Sequence, residues 1–401
     1  MNPSAISSAK PGGRCALVNG RIVLPTEVVS GKAVMIEGRR ILGLASPGDV
    51  GSATDRFDAG GRFITPGLID IHTHGALGHV FNEGTDAVFA EITRENLRRG
   101  VTSLLMTIGP EGMDDLCTLL ERCRAWLREP RDGAQVLGVH LESPYINPAQ
   151  KGAMNEAYMR RPDDGTADRL LEFGDILRIF MLAPELPGAL DLIARLARQG
   201  IIPAAGHTMA HDSHIAAAMQ AGLRHVTHLW SAMSATVREG PWRKPGLVES
   251  ALLFDGLTVE MISDGKHLPP TLMKLAYKCV GPDRLCAISD ATSGAGLPDG
   301  ARFRMHGMEY EVCDGVGMML DRSAFAGSTT LLNHAIAVLI RDADIPLPEA
   351  VRMVSLVPAR IAGVDGRKGS IEASKDADLA IFDEDFTAHR VMVQGRWADG
   401  A

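Results

Sequence analysis

The sequence predicts a parallel (β/α)8 barrel of the TIM type, accompanied by a small β-domain made from both chain termini. Three observations predict it. Between Phe63 and about Gly363, eight short apolar runs alternate with stretches of helical period. Residues able to bind a metal stand at the ends of five of those runs. The two ends of the chain differ in style, carrying short strand-like segments split by turn residues.

The chain opens on a small, polar stretch, Met1 to Gly13, which lacks the apolar core of a signal peptide. Segments 16–22, 33–37 and 40–45 then read as strands separated by Asn19-Gly20 and Glu37-Gly38, the pattern of a β-meander. Barrel strands follow at 69–72, 101–107, 136–142, 177–183, 201–207, 225–229, 257–264 and 285–290. Near-continuous apolar runs rich in β-branched residues suit strands buried on both faces.

Helical stretches lie between them at 86–99, 114–128, 189–198, 213–221, 270–279 and 329–341. In one of these, Leu190, Ile193, Ala194 and Ala197 form an apolar face at spacings of three and four. Gly100, Gly200, Gly222 and Gly281 follow four of the helices, where a left-handed terminating residue is expected. Eight such alternations over roughly 250–300 residues fit a closed barrel, and a doubly wound open sheet is the alternative this pattern leaves. Segment 312–320, interrupted by Gly315 and Gly317, reads as a hairpin inserted after the eighth strand. Segments 377–383 and 389–394 return to the style of the N-terminus and are expected to pair with it.

Composition narrows the function. The 401 residues carry 41 basic and 49 acidic side chains, a net charge of −8. A nucleic-acid binder would show a basic face instead, whereas a few local cations suffice for a small anionic substrate. No apolar run approaches the ~20 residues that cross a bilayer. Six scattered Cys without a CxxC pair read as reduced thiols. A cytoplasmic protein with neither nucleic-acid nor membrane partners is expected.

The chemistry lies in where the polar residues fall. His72 and His74 end the first run, Glu142 the third, His207 the fifth, His228 the sixth and Asp290 the eighth. In a parallel barrel these ends open on one face, where active sites are built. A single histidine there is more often a hydrogen-bonded polar residue than a ligand, but six such groups converging is another matter. His-x-His on a strand puts both rings on one face, and a buried carboxylate such as Glu142 needs a cation or several donors. Imidazoles with carboxylates suit zinc or a similar divalent metal. Such a metal can activate water and polarise a carbonyl. His211 and His214 read as a solvated helix start, and His79, His140, His225, His306, His334 and His389 as structural or surface residues.

At these residues the sequence resembles a known group. Pro66-Gly67-Leu68-Ile69-Asp70-Ile71-His72-Thr73-His74-Gly75 is similar to the opening motif of the amidohydrolase superfamily. The stretch from His140 to Pro148, with Lys151-Gly152, resembles the narrower family of N-acetylglucosamine-6-phosphate deacetylases. So do Gly206-His207-Thr208, Thr227-His228-Leu229, Asp264-Gly265-Lys266-His267, Ser289-Asp290-Ala291-Thr292 and Ala326-Gly327-Ser328. Lys368-Gly369-Ser370-Ile371-Glu372 and Asp376-Ala377-Asp378-Leu379 resemble the superfamily's closing β-domain motif.

The resemblance implies a (β/α)8 barrel at 63–364 and a β-sandwich from 1–62 and 365–401. It implies deacetylation of a phosphorylated amino sugar, in a homodimer. It gives Glu142, His207 and His228 the main metal, makes Asp290 the catalytic carboxylate and a potential ligand, and opens a second site through His72 and His74 sharing Glu142. Substrate contacts fall on Ala153, Ser231, Ala232, Arg243, His267, Phe325, Ala326 and Gly327, with Arg243 reaching in from a second subunit.

Four departures bear on the substrate. Met154 stands where the family commonly has a His that polarises the acyl oxygen, and Met cannot donate a hydrogen bond. Ser231 stands where it has Asn, and Ser143 where it has Gly. Segment 237–244 carries extra residues, which makes Arg238 a rival of Arg243. Two rival functions follow: the same machinery acting on another N-acyl sugar, N-acyl amino acid or cyclic amide, and a non-catalytic barrel serving as a scaffold.

Overall fold

The computed structural model describes residues 13–52, 54–129 and 131–398; the polar start before Gly13 lies outside them. Eight parallel strands form the barrel in sequential order: Leu68–Thr73, Val101–Ile108, Gln135–Leu141, Leu177–Leu182, Ile202–Ala205, His225–Val226, Thr258–Ile262 and Leu285–Ile288. All eight lie on the expected runs. A parallel bridge between Thr73 and Ala291 closes the ring. Asp70 braces the same seam, its carboxylate accepting from Ser289 Oγ at 2.5 Å and from the His72 N–H at 3.2 Å. Burial pushes Asp70 up to about 7, against the pull of the Ser289 hydroxyl.

Alternation along the strands explains why the runs are apolar throughout. Leu104, Met106, Val139, Leu141, Phe180, Leu182, Val259 and Met261 face outward into the core shared with the helices. Leu105, Leu137, Ile179, Met181, Ala204, Ile262, Cys286 and Ile288 fill the interior. Each of the Leu, Ile, Val, Met and Phe side chains among them contributes roughly 1.5–3 kcal/mol on burial.

Helices occupy the predicted stretches, with Ala189–Arg198 among them, and the four glycines that follow helices have φ of 89°, 76°, 125° and 78°. The buried face of Ala189–Arg198 differs from expectation. Ala189, Leu192, Ile193 and Leu196 are buried, while Leu190 is 44% exposed. This helix has two overlapping apolar stripes, and contact with the barrel, not spacing, selects one.

The terminal segments build two sheets. One contains Arg14–Val18, Ala33–Glu37, Arg40–Ala45 and Asp55–Asp58. The other joins Arg21–Val23, Val28–Val29 and Phe63–Pro66 to the C-terminal strands Leu379–Phe382, Ala388–Val393 and Arg396–Trp397. Leu17, Ile22, Ile36, Ile64, Leu379, Ile381 and Met392 form one cluster between them, so the two sheets pack as a sandwich. Two local expectations are corrected. The run 16–22 is not one strand: it breaks at Asn19, with φ 53°, and its halves enter different sheets. Phe63–Pro66, expected on the barrel side, pairs antiparallel with Leu379–Phe382 in the sandwich.

The inserted hairpin proves to be part of a four-stranded sheet: Arg302–Met305, Met308–Cys313, Val316–Met319 and Phe325–Ser328. Its last strand returns to the barrel. Ser328 N–H donates to Asp290 O at 2.8 Å and Thr292 N–H to Ser328 O at 3.1 Å. Gly327 sits at φ 68°, and a Cβ there would stand 2.7 Å from Asp290 O. Only glycine permits this approach.

Candidate metal centre and substrate cavity

Following the barrel strands to their C-terminal ends brings the six expected ligands together. Glu142 lies just past the third strand and is 2% exposed. Its Oε1 lies 3.0 Å from His228 Nε2, 3.5 Å from His207 Nε2 and 3.4 Å from His72 Nε2, and its Oε2 lies 3.2 Å from His74 Nε2. Asp290 Oδ1 completes the ring, 3.4 Å from His74 Nε2 and 3.5 Å from His72 Nε2. Among the described residues, three groups have the proximity that a metal ion requires: Glu142–His207–His228 and His72–His74–Glu142, both expected, and His72–His140–Glu260.

The geometry fits such an ion. Four imidazole nitrogens crowd one carboxylate that cannot satisfy them all, and Glu142 Oε2 and His72 Nε2 are buried without a hydrogen-bond partner. The far side of two rings is already committed: His207 Nδ1 lies 2.8 Å from Gln150 O and His72 Nδ1 2.9 Å from Glu260 Oε2. Outer partners of this kind leave Nε2 free to ligate. Burial resists charge on both histidines of the first strand, yet Glu260 and Glu142 hold His72 well above its usual range, and Glu142 with Asp290 raises His74 to about 9. Burial likewise opposes ionisation of Glu142, but His72 and His74 keep it well below the ordinary carboxylate range. A field that favours bound protons also favours a cation.

Backbone conformation contributes. His207, His228 and Asp290 have φ of 45°, 26° and 48°, and Trp230 and Ala232 are also left-handed. Non-glycine residues held there cost about 1–3 kcal/mol each, a burden that collects at functional sites. In each case the turn swings the side chain in from the strand end.

Glu260 was missed in the sequence. It stands in the seventh strand on the interior parity of Ile262, fully buried, with His225 Nε2 at 3.0 Å from Oε1 and the His228 N–H donating to Oε2 at 3.2 Å. The signal was a lone carboxylate inside the run Val259-Glu260-Met261-Ile262. Burial would push it up, but His72 and His225 hold it well below the usual range. Glu260→Gln replaces one acceptor oxygen with a donor and should cost about 1–3 kcal/mol of unfolding free energy. Urea unfolding within about 0.5 kcal/mol of the parent would contradict that assignment.

A cavity of about 600 Å³ opens over the centre. Ala153, Ser231, Ala232, His267, Phe325, Ala326 and Gly327 line it, together with His74, Glu142, His207, His228, Asp290 and Met154. His267 Nδ1 lies 2.7 Å from Asp264 Oδ2. Burial alone would lower His267, but Asp264 raises it. Arg243 is not in the wall. It lies on the exposed hairpin of Val237–Glu239 and Trp242–Lys244, opposite Arg238, and its Nη1 donates to Pro241 O at 3.0 Å. Neither Glu239 nor Glu249 pairs with it; Glu239 takes Lys244, and Glu249 accepts from the Gly246 and Thr236 N–H groups. His211 and His214 form a local helix start, the His211 N–H donating to His214 Nδ1 at 3.1 Å. His306, read as structural or surface, lines the cavity. A larger cavity of about 680 Å³ lies among Arg124, Arg128, Arg178 and Arg367 at the other end of the barrel and holds none of the candidate ligands.

A closed parallel barrel, a terminal β-sandwich and this His/Glu/Asp cluster define a class, and the profile of the Amidohydrolase family matches residues 63–398. The chain belongs to that family, whose members are generally metal-dependent. Among curated proteins it is 32% identical to the N-acetylgalactosamine-6-phosphate deacetylase of Escherichia coli O157:H7, over 86% of this chain and 90% of that one. It is 31% identical to the N-acetylglucosamine-6-phosphate deacetylase of Haemophilus influenzae, over 96% and 99%. The crystal structure of N-acetylglucosamine-6-phosphate deacetylase from Pasteurella multocida superposes with a TM-score of 0.89 at 31% identity, covering 96% of this chain and 99% of that one. Among the described residues, no helix is long and apolar enough to cross a membrane.

Proposed function

We propose that this chain hydrolyses the acetamide of an N-acetylhexosamine 6-phosphate, in the first instance N-acetylglucosamine 6-phosphate, to acetate and the amino sugar phosphate. One observation carries the reading: Glu142, ringed by four imidazoles and adjoined by Asp290, lies in the cavity of a chain whose relatives bear these names. Glu142, His207 and His228 would hold the main metal, zinc or a similar divalent ion, and His72 and His74 a second that shares Glu142. Bound there, a divalent metal acidifies water and polarises the amide carbonyl.

The chain's own residues do the rest. Asp290 accepts the proton of the attacking water and returns it to the departing nitrogen, so that the amine leaves neutral. His267, whose charged form Asp264 favours, and the backbone of Phe325, Ala326 and Gly327 meet the sugar phosphate, with Ala153, Ser231 and Ala232 lining the same cavity. Arg243, outside its own cavity on an exposed hairpin, would serve the cavity of a second copy in a homodimer. Exposed Trp242 on the same hairpin and six unpaired cysteines suit a dimer in a reducing, cytoplasmic setting. Met154, 8% exposed and without a donor, favours the second reading, a different N-acyl substrate.

Rates on gluco and galacto N-acetylhexosamines, each with and without the 6-phosphate, test the proposal. Arg243→Ala should lower kcat/KM on the phosphorylated sugar by about ten- to a hundredfold, since a charge-assisted contact contributes roughly 1.5–3 kcal/mol. The unphosphorylated sugar should hardly notice. Equal losses on both, or a native preference for the neutral sugar, would overturn the phosphate reading.

A further inference from the structure

Of the five histidines that line the cavity, one is held neither by Glu142 nor by another carboxylate. His74, His207 and His228 face Glu142, and His267 is bound to Asp264. His306 lies in the same wall, and its Nδ1 is buried without a hydrogen-bond partner.

Its position is unusual for its local structure. Met305 pairs with Met308, so His306 and Gly307 form a two-residue hairpin loop. Both have positive φ, 51° and 74°, which is the backbone of a type I′ turn. Such tips normally face water and carry Asn-Gly or Asp-Gly. Here Gly307 does face solvent, but the His306 side chain turns inward and is only 6% exposed. Room is made for it: a Cβ on Gly109 would come within 2.2 Å of His306 Cε1. The hairpin is also tied to the substrate loop, because Tyr310 Oη donates to Ala153 O at 2.6 Å.

The ring stands at the reacting end of the cavity. Its centroid is 6.2 Å from that of His74, whereas His267 packs against Phe325, ring centroids 5.0 Å apart. Met154, in the same wall, offers no donor. An uncommitted imidazole in a buried wall, beside the groups that hold the reacting centre, has the chemistry of an oxyanion donor. We propose that His306 is a further substrate-contacting residue, whose ring N–H donates to the acyl oxygen of the bound amide as negative charge develops there.

This inference rests on the N-acyl amine reading of the cavity, and its test separates the two. His306→Gly keeps the left-handed turn, which glycine adopts freely, and removes the ring. Three quantities are measured on the metal-loaded enzyme: kcat on the N-acetylhexosamine phosphate, affinity for the deacetylated amino sugar phosphate by calorimetry, and metal stoichiometry. The product lacks the acyl oxygen. We expect kcat to fall at least ~10-fold, with product affinity and metal content within about twofold of the parent. A kcat within twofold overturns the proposal, as does a parallel loss of product affinity or a loss of metal. If His306→Gly does not fold, His306→Asn suits the same turn, and its shorter side chain carries the same comparison. A parent enzyme inactive on every acetylated sugar phosphate refutes the substrate reading instead, and the comparison then runs on the N-acyl amine it does hydrolyse.

Discussion

Replacing His207 with Asn should strip the enzyme of metal and of activity together. His207 Nε2 lies 3.5 Å from Glu142 Oε1 and 3.2 Å from His228 Nε2, while its Nδ1 is spent on Gln150 O. Asn keeps polarity but is too short to reach the point where these groups converge. Loss of an outer-sphere partner already costs about 10–100-fold in metal affinity, so loss of a ligand should exceed 100-fold. Asn also tolerates the left-handed backbone at this position, where φ is 45°, so the fold should survive. Elemental analysis after gel filtration reads the result directly. Full metal occupancy in the variant would show that Glu142, His207 and His228 are not the ligand set. The paired change His72→Ala with His74→Ala should instead lower stoichiometry by one; an unchanged value would remove the second site.

Asp290→Asn should leave a folded, metal-loaded protein with kcat reduced by about 10²–10⁴-fold, the range of a positioned general base. Asp290 is 8% exposed at the cavity floor. Burial would raise its carboxyl, but its hydrogen bond with His74 and the charge of His72 hold it below the usual range, in the form that accepts a proton. Asn has the same shape and suits the positive φ of 48°, but it cannot carry a proton between water and the leaving nitrogen. Because Asp290 Oδ1 is also 3.4 Å from His74 Nε2, the rate should be taken at saturating metal. Near-parent turnover under those conditions would move the base to another residue.

Much of this was legible before any coordinates. All eight barrel strands fall on the apolar runs, because strands covered by helices outside and by side chains inside cannot afford polar positions of either parity. The same rule made the exceptions stand out. His72, His74, Glu142, His207, His228 and Asp290 interrupt or end those runs, and strand ends share one face in a parallel barrel. Glu260 obeyed the same logic and passed unnoticed because it stands mid-strand, one turn of the pleat below the ligands, where no motif marks it.

Other features were beyond the reach of local pattern. The stripe that Ala189–Arg198 buries depends on what lies beneath the helix, and Leu190 is exposed although its spacing is equally good. Residues 16–22 are apolar enough for one strand, yet the bend at Asn19 sends their halves into two sheets, the second of which has members more than 350 residues away. His306 reads as a structural or surface residue until the hairpin is seen to turn its side chain into the cavity.

The sequence by itself determined the class of fold and the kinds of side chain gathered at the strand ends, because burial and strand period act over a few residues and leave their mark in order along the chain. Tertiary structure alone decided which atoms meet. Glu142 comes to His228 across 86 positions and to within 3.0 Å, Glu260 to His72 across 188, and Arg243 is carried away from its own cavity on an exposed hairpin. Ring closure, left-handed turns at three candidate ligands and the inward turn of the His306 side chain set those meetings. Each is a long-range packing outcome whose energy is shared among many residues, so no single position records it.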